Sequence, residues 1–437
     1  MKYPRTFRAS VAVVGAAALI LPLASCSGAD GGSDSGTTEI SFLLPTSENN
    51  TTAIDTLIEA FEAENPDITV KLETQPAGTE GDNLTKTKLA TGEMNDVFFY
   101  NSGSLFQGLS PDQYLVDLSD ESWVADVDPK MIDSVSTDNG IYGAPWGSTQ
   151  AGGILYSKTI YEELGLEIPA SWAEYAANNE KIKAAGKTAV VQTYGDTFSS
   201  QLYVLGDFAN VLAQDPEWAE DYTAGKKKFA DQPALQGFLN LETSFKEGWL
   251  NEDFASARFE EAIGWLAMGE AAHYPMQTGA IASLAQNYPD QVNDVGVFPI
   301  PAQDAAHTSL TVWLPNAMYI PKTTEGDELV AAKKFLAFLN SPAGCDVQNE
   351  HIVPSGPYAI STCELPDDVP AMLKDMQMYV DAGKSNSALE YLSPIKGPNL
   401  ENILVEVGSG IRSAQDGAAL YDEDVKKQAM QLGLEGW

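Results

Sequence analysis

Histidine, cysteine and positive charge are all scarce in this 437-residue chain. The three histidines, His273, His307 and His351, sit in no H-E-x-x-H arrangement and beside no evident nucleophile. No G-x-S-x-G elbow, P-loop or G-x-G-x-x-G turn occurs, so the local signatures of serine hydrolases, nucleotide hydrolases and dinucleotide enzymes are missing. Lys and Arg number 25 against 62 Asp and Glu, a formal charge of −37. Such a surface repels nucleic acid and anionic lipid, which excludes both as direct partners. The acidity is spread along the chain rather than blocked, as on a solvated surface. Beyond the N-terminus no 18-residue apolar run could span a bilayer.

What the chain does contain begins with a targeting pattern. Lys2, Arg5 and Arg8 precede the apolar stretch Val11 to Leu23, which is too short for a membrane span. Leu23-Ala24-Ser25-Cys26 then matches the lipobox of bacterial lipoproteins, so residues 1–25 are expected to be removed and Cys26 acylated. Loss of those residues leaves 22 basic against 62 acidic side chains, a net −40. Residues 26–38, rich in Gly, Ser and Asp, read as a flexible tether. The remaining cysteines, Cys345 and Cys363, suit oxidation outside the membrane, closing a loop of about 18 residues worth about 3 kcal/mol. A metal site of Cys345, His351 and Cys363 is the alternative, although it lacks C-x-x-C spacing.

A length of 437 residues favours two domains. Glu39–Leu44 reads as a strand, and Ile54, Leu57, Ile58 and Phe61 recur at helical spacing until Asn65-Pro66 stops them. Ile68, Val70 and Leu72 alternate as a second strand, so a parallel β-α-β unit opens the fold. Ligands bind beyond the carboxyl ends of such strands, which brings forward the loop 45–50 with Glu48. Val97–Tyr100 is a further strand with Asn101 at its end; Asn101 is either a ligand contact or a cap for the helix starting near Ser104. A helix is expected over 202–212.

The most informative run is Asp138 to Lys158, D-N-G-I-Y-G-A-P-W-G-S-T-Q-A-G-G-I-L-Y-S-K. Its Gly and Pro allow sharp turns between two structured regions, and Trp146 and Gln150 fall where ligand pockets form. G-I-Y-G-x-P followed by I-L-Y-x-K resembles the hinge of the extracellular solute-binding proteins (family 1) that serve ABC importers. The likeness extends through Gly92-x-x-x-Asp96-Val97, through Leu109 to Leu118, where it implies an amphipathic helix over 109–118, through the block Ala262 to Gly279 and through Leu310–Pro321. It implies an α/β, two-lobed periplasmic-binding-protein-like fold with discontinuous lobes: 39–146 with 301–355, and 147–300 with 356–437. Two to three segments would cross between them, including 294–301 and 352–357.

The same resemblance places Met276 and Gln277, Trp313 and Asn316, Asp196 in the 194–201 loop, and Ser355 at the cleft. It implies no catalysis and no cofactor. It implies instead a monomer on the extracellular face of the cell membrane, held there only by its lipid, binding a carbohydrate and delivering it to ABC transporter permease subunits. Eight Trp and 17 Tyr, several in Gly/Pro-rich loops, supply flat apolar faces for sugar rings, enough for an oligosaccharide. No Arg or Lys falls in the loops placed at the rim, so an anionic ligand is disfavoured. A secreted carbohydrate-active hydrolase remains an alternative, since 62 carboxylates cannot be sorted into pairs by spacing. So does a peptide or polyamine carrier of the same fold.

Overall fold

The computed structural model describes residues 36–46, 48–76 and 78–437, with the side chains of 48–53 and 78–79 excepted. The lipobox with Cys26 lies outside these residues. Thirteen strands are present among them. They are β1 (Thr38–Pro45), β2 (Ile68–Gln75), β3 (Val97–Tyr100), β4 (Ser136–Thr137), β5 (Gly140–Ile141), β6 (Gly143–Trp146), β7 (Gln150–Ser157), β8 (Thr188–Val190), β9 (Ala271–Gln277), β10 (Val295–Phe298), β11 (Leu310–Trp313), β12 (Asn316–Tyr319) and β13 (Ser385–Ser387).

The first lobe grows from the β-α-β unit. β1 and β2 run parallel in the register Thr38↔Ile68, and the helix Glu48–Glu64 connects them. Ile54, Leu57 and Phe61 are buried on one face of that helix, and Asn65 Nδ2 donates to the Phe61 carbonyl at 3.0 Å to end it. Phe335, on the helix Gly326–Leu339, wedges edge-on against both Phe42 and Phe61, with ring centroids 5.7 and 5.1 Å away. Asp96 explains its place before the strand: its Oδ2 accepts from the Ser41 amide and hydroxyl at 2.8 and 2.7 Å, tying β3 to β1. The finished sheet has the order β2-β1-β3-β12-β6.

The second sheet has the order β13-β11-β7-β9-β8. β7 is its axis. Along one edge it pairs with β9; along the other, its first half takes β11 and its second half β10. The near-continuous burial of β7 follows from helices covering both faces, as in α/β sheets. The C-terminal helices Leu400–Gly408 and Ala414–Gln431 close the same core through Leu404, Tyr421 and Val425.

Several expected boundaries move. β10 joins β7 inside the second sheet, so 294–301 is not an inter-lobe strand. Residues 301–313, expected in the first lobe, belong with the second: Trp172 donates to the Ala302 carbonyl, and β11 pairs with β7. Residues 359–363, expected in the second lobe, lie with the first, where Ala359 and Ile360 are buried. The chain therefore crosses at 147–149, 314–315 and 364–370, and 352–357 runs beside the first crossing without completing one. Cys345 and Cys363 are joined in a disulfide with Cα atoms 5.3 Å apart, which removes the thiolates a metal would need. The helix expected over 109–118 shrinks to Pro111–Tyr114, because Leu115 is drawn into a bridge with Pro321.

The helix expected over 202–212 is broken into Leu202–Leu205 and Phe208–Gln214. Thr311 Oγ1 donates to the Gly206 carbonyl at 2.7 Å and accepts from the Ala209 amide at 2.9 Å, taking over the helix's own bonds. Asp207 is left in this break, 2% exposed, with Asn210 Nδ2 donating to its Oδ1 at 2.7 Å. Burial pushes its pKa up to about 8. A folded-state pKa above the unfolded one means that stability is lost as pH rises towards 8, because unfolding releases the carboxylate to water. We expect the melting temperature to fall between pH 7 and pH 9, and Asp207→Asn to flatten that fall, as thermal denaturation at a series of pH values will show.

Candidate functional site

The strands of both sheets end on one cleft, and cross-strand register brings residues distant in sequence together there. β12 begins with Asn316 opposite Trp146 at the end of β6. β11 ends with Trp313 opposite Gln150 at the start of β7. Gln277, the last residue of β9, faces Gly152. Asn101, just past β3, donates through Nδ2 to Asn316 Oδ1 at 3.3 Å. With Ser355, these residues line a cleft of about 380 Å³ between the lobes, within the usual range of small-molecule sites.

Two glycines make room for the planar side chains. A Cβ on Gly152 would lie 2.3 Å from Trp313 Cζ3, so the indole rests directly on the β7 backbone. A Cβ on Gly279 would lie 2.6 Å from Gln150 Oε1. The crossings beneath them are pinned. Gly147 turns the chain with φ 81°, the Thr149 amide and hydroxyl both donate to the Pro357 carbonyl at 2.8 Å, and the Ser355 amide donates to Ser148 Oγ at 2.9 Å. At the second crossing Ser102 Oγ donates to the Pro315 carbonyl at 2.8 Å and Tyr391 OH to the Leu314 carbonyl at 3.0 Å. Burial, and after it the Glu390 charge, push the Tyr391 hydroxyl well above the ordinary tyrosine pKa, so it remains a donor.

Not every expected contact is here. Met276 is 3% exposed and packs in the core of the second lobe. Its neighbour Gln277 takes the cleft, since successive strand residues point to opposite faces. Asp196 is spent on structure: its Oδ2 accepts from the Phe259 amide at 2.8 Å at the start of the helix Phe259–Ala267, and Arg258 lies 3.5 Å away. Glu48 opens the first helix, but its side chain is outside the described residues. His273 is wholly buried between Tyr161 OH and Asn179 Oδ1, each at 2.8 Å; burial lowers its pKa to about 3, leaving a neutral structural imidazole.

Other lining residues were not anticipated individually. Phe198, 47% exposed, and Gln201 come from the 194–201 loop that the sequence had marked through Asp196. Glu390, Tyr391 and Lys396 come from a C-terminal segment with no recognisable motif. Lys396 corrects the expectation of a rim without cations. Its Nζ lies 3.2 Å from Glu390 Oε2, so the pair brings little net charge. Among the described residues lining this cleft, Glu390 is the one carboxylate.

A two-lobed α/β body with a pinned hinge and a ligand-sized interlobe cleft has the architecture of a solute-binding protein. The sequence profile of the bacterial extracellular solute-binding proteins matches residues 45–344, and the chain belongs to that family. Over 311 residues it is 25% identical to the multiple sugar-binding protein of Streptococcus mutans, covering 70% of this chain and 71% of the relative. Over 308 residues it is 26% identical to the melibiose/raffinose/stachyose-binding protein of Bacillus subtilis, covering 69% and 70%. Among solved structures, the fold is shared with a chitin oligosaccharide binding protein at TM-score 0.74 and 17% identity, spanning 90% of this chain and all of that one. A raffinose complex of the solute-binding protein RafE gives the same TM-score at 20% identity, again spanning 90% and 100%.

The seat of Trp313 on Gly152 is directly testable. Gly152→Ala is expected to displace the indole, shift the tryptophan emission and cost about 1–3 kcal/mol of stability through overpacking, read by fluorescence and denaturant melts.

Proposed function

We propose that this protein captures an oligosaccharide between its lobes and delivers it to the permease subunits of an ABC importer, held at the outer face of the cell membrane by a lipid on Cys26. The observation that carries the reading is the composition of the cleft. The rings of Trp146, Trp313 and Phe198 stand among the amides of Asn101, Gln150, Gln201, Gln277 and Asn316. Indole and phenyl faces remove the apolar faces of a sugar ring from water, while planar amides replace the water bound to its hydroxyls. The family is one of solute carriers, and two relatives are named for the sugars they bind.

Charge and carboxylate count weigh against the rivals. Among the described residues lining the tryptophan-bearing part of the cleft, the Glu390–Lys396 pair leaves no surplus carboxylate to hold a polyamine and no free cation to hold a peptide carboxylate. Glycoside hydrolysis uses two carboxyl groups about 5–9.5 Å apart, whereas this cleft shows one among the described residues, already engaged by a lysine. Binding across the cleft favours the closed arrangement by rotation at the three crossings, and that closed form is what a permease would recognise.

A thermal-shift panel of mono- and oligosaccharides, peptides and polyamines tests this. A matching sugar at 100-fold its Kd adds about 2.7 kcal/mol of stability, and it is recovered unhydrolysed. Trp313→Ala is expected to weaken that sugar by about 1–3 kcal/mol, or roughly 5- to 150-fold, in calorimetric titration. A shift with polyamines or peptides and none with any sugar rejects the assignment. Anchoring is read separately: Cys26→Ala should move the protein from the membrane fraction to the medium.

A further inference from the structure

A second chamber opens from the first. It encloses about 410 Å³, comparable with the 380 Å³ of the tryptophan-lined cleft. Phe99, Asn101, Gln201 and Lys396 border both, forming a shared waist. The far part is walled from the first lobe by Gln75, Asp82 and Tyr100, and from the second by Glu401 and Gln428. It therefore lies between the lobes, as the first chamber does.

The far chamber carries polar groups set for a hydroxylated guest. Tyr100, 5% exposed, donates its hydroxyl to Asp82 Oδ1, and Lys86 Nζ sits 2.8 Å from Asp82 Oδ2. Gln75, 7% exposed, donates through Nε2 to Thr85 Oγ1 at 2.8 Å, yet its Oε1 has no partner. A buried acceptor without a donor costs free energy, and a turn of this amide towards the chamber would let an incoming hydroxyl satisfy it. Across the gap, Glu401 and Gln428 are half-buried and line the same space. Phe99 at the waist supplies an apolar face where one sugar unit would pass to the next.

Resting on the oligosaccharide reading above, we infer that the ligand is a chain long enough to occupy both chambers. Its first units lie against Trp146 and Trp313, and its distal unit is held by Gln75, Asp82, Glu401 and Gln428. The second chamber thus sets preference for length, and the first sets affinity for the core of the ligand. Because each chamber alone has the volume of a small-molecule site, a short sugar fills the tryptophan-lined one and leaves the other to water.

The test is calorimetric titration of the full protein with graded series: raffinose, stachyose and verbascose, and malto-, xylo- and chito-oligosaccharides of two to six units. In the series that binds, Kd is expected to fall at least about tenfold from the shortest binder to the longest. Glu401→Ala with Gln428→Ala should abolish that gain, raising Kd for the longest member about tenfold while leaving the shortest within about twofold. Unchanged melting of the ligand-free variant shows that it has folded; if it melts early, Gln428→Ala alone is titrated instead. Affinity independent of length, or an equal loss for short and long members, overturns this inference and leaves sugar binding standing. Failure of every sugar to bind the unaltered protein overturns the sugar reading itself, and this inference with it.

Discussion

Two short connections running in opposite directions, Gly147–Thr149 and Leu314–Pro315, join the ends of one sheet to the ends of the other. Everything at the cleft depends on that join. Because β6 leads into β7 and β11 into β12, the side chains at those ends fall within a few residues of a crossing. The bonds from Thr149 to Pro357, from Ser102 to Pro315 and from Tyr391 to Leu314 fix where the crossings lie. They also make the crossing part of the cleft wall: Ser148 and Ser355 line the cleft and hydrogen-bond to each other's segments. A rotation about the crossings must therefore move the aromatic platforms together with the amides that face them.

The interior of the second lobe shows how polar groups are accommodated when they have no part in the cleft. His273 stays neutral between a tyrosine hydroxyl and an asparagine carbonyl. Asp207 is held near a helix break where a threonine from another strand has displaced the helical bonds. Asp422 accepts the Phe229 and Ala230 amides at 2.8 and 2.9 Å, and burial still raises its pKa. These groups organise loops and helix ends in the lobe, and the high net charge remains on the solvated surface, where it keeps the molecule apart from other polyanions. In the tryptophan-lined part of the cleft, Glu390 is paired with Lys396, and rings and amides make up much of the remaining wall.

Local pattern made much of the fold legible. Apolar spacing at Ile54, Leu57, Ile58 and Phe61 and alternation at Ile68, Val70 and Leu72 mark elements whose burial is decided by their own periodicity. The hinge stretch announced itself through Gly147, Pro145 and Trp146. Other assignments depended on partners far along the chain. The helix over 202–212 broke because Thr311 approached from β11, and nothing local to 202–212 carries that information. The strand 295–298 resembles a crossing in its sequence, yet its pairing with β7 puts it wholly inside one sheet.

By itself, the sequence determined the two-lobed α/β class, the hinge, and seven residues that the structure gathers at the cleft: Asn101, Trp146, Gln150, Gln277, Trp313, Asn316 and Ser355. It could do so because residues at strand ends carry turn chemistry and a recurring family pattern. Tertiary structure alone decided that Met276 turns inward, that Asp196 caps a helix, and that Glu390, Tyr391 and Lys396 complete the wall. Those outcomes rest on strand register and on the return of the C-terminal segment across the cleft, both of which are contacts between residues tens to hundreds of positions apart. Periodicity reports which face of an element is buried; only packing reports what it is buried against.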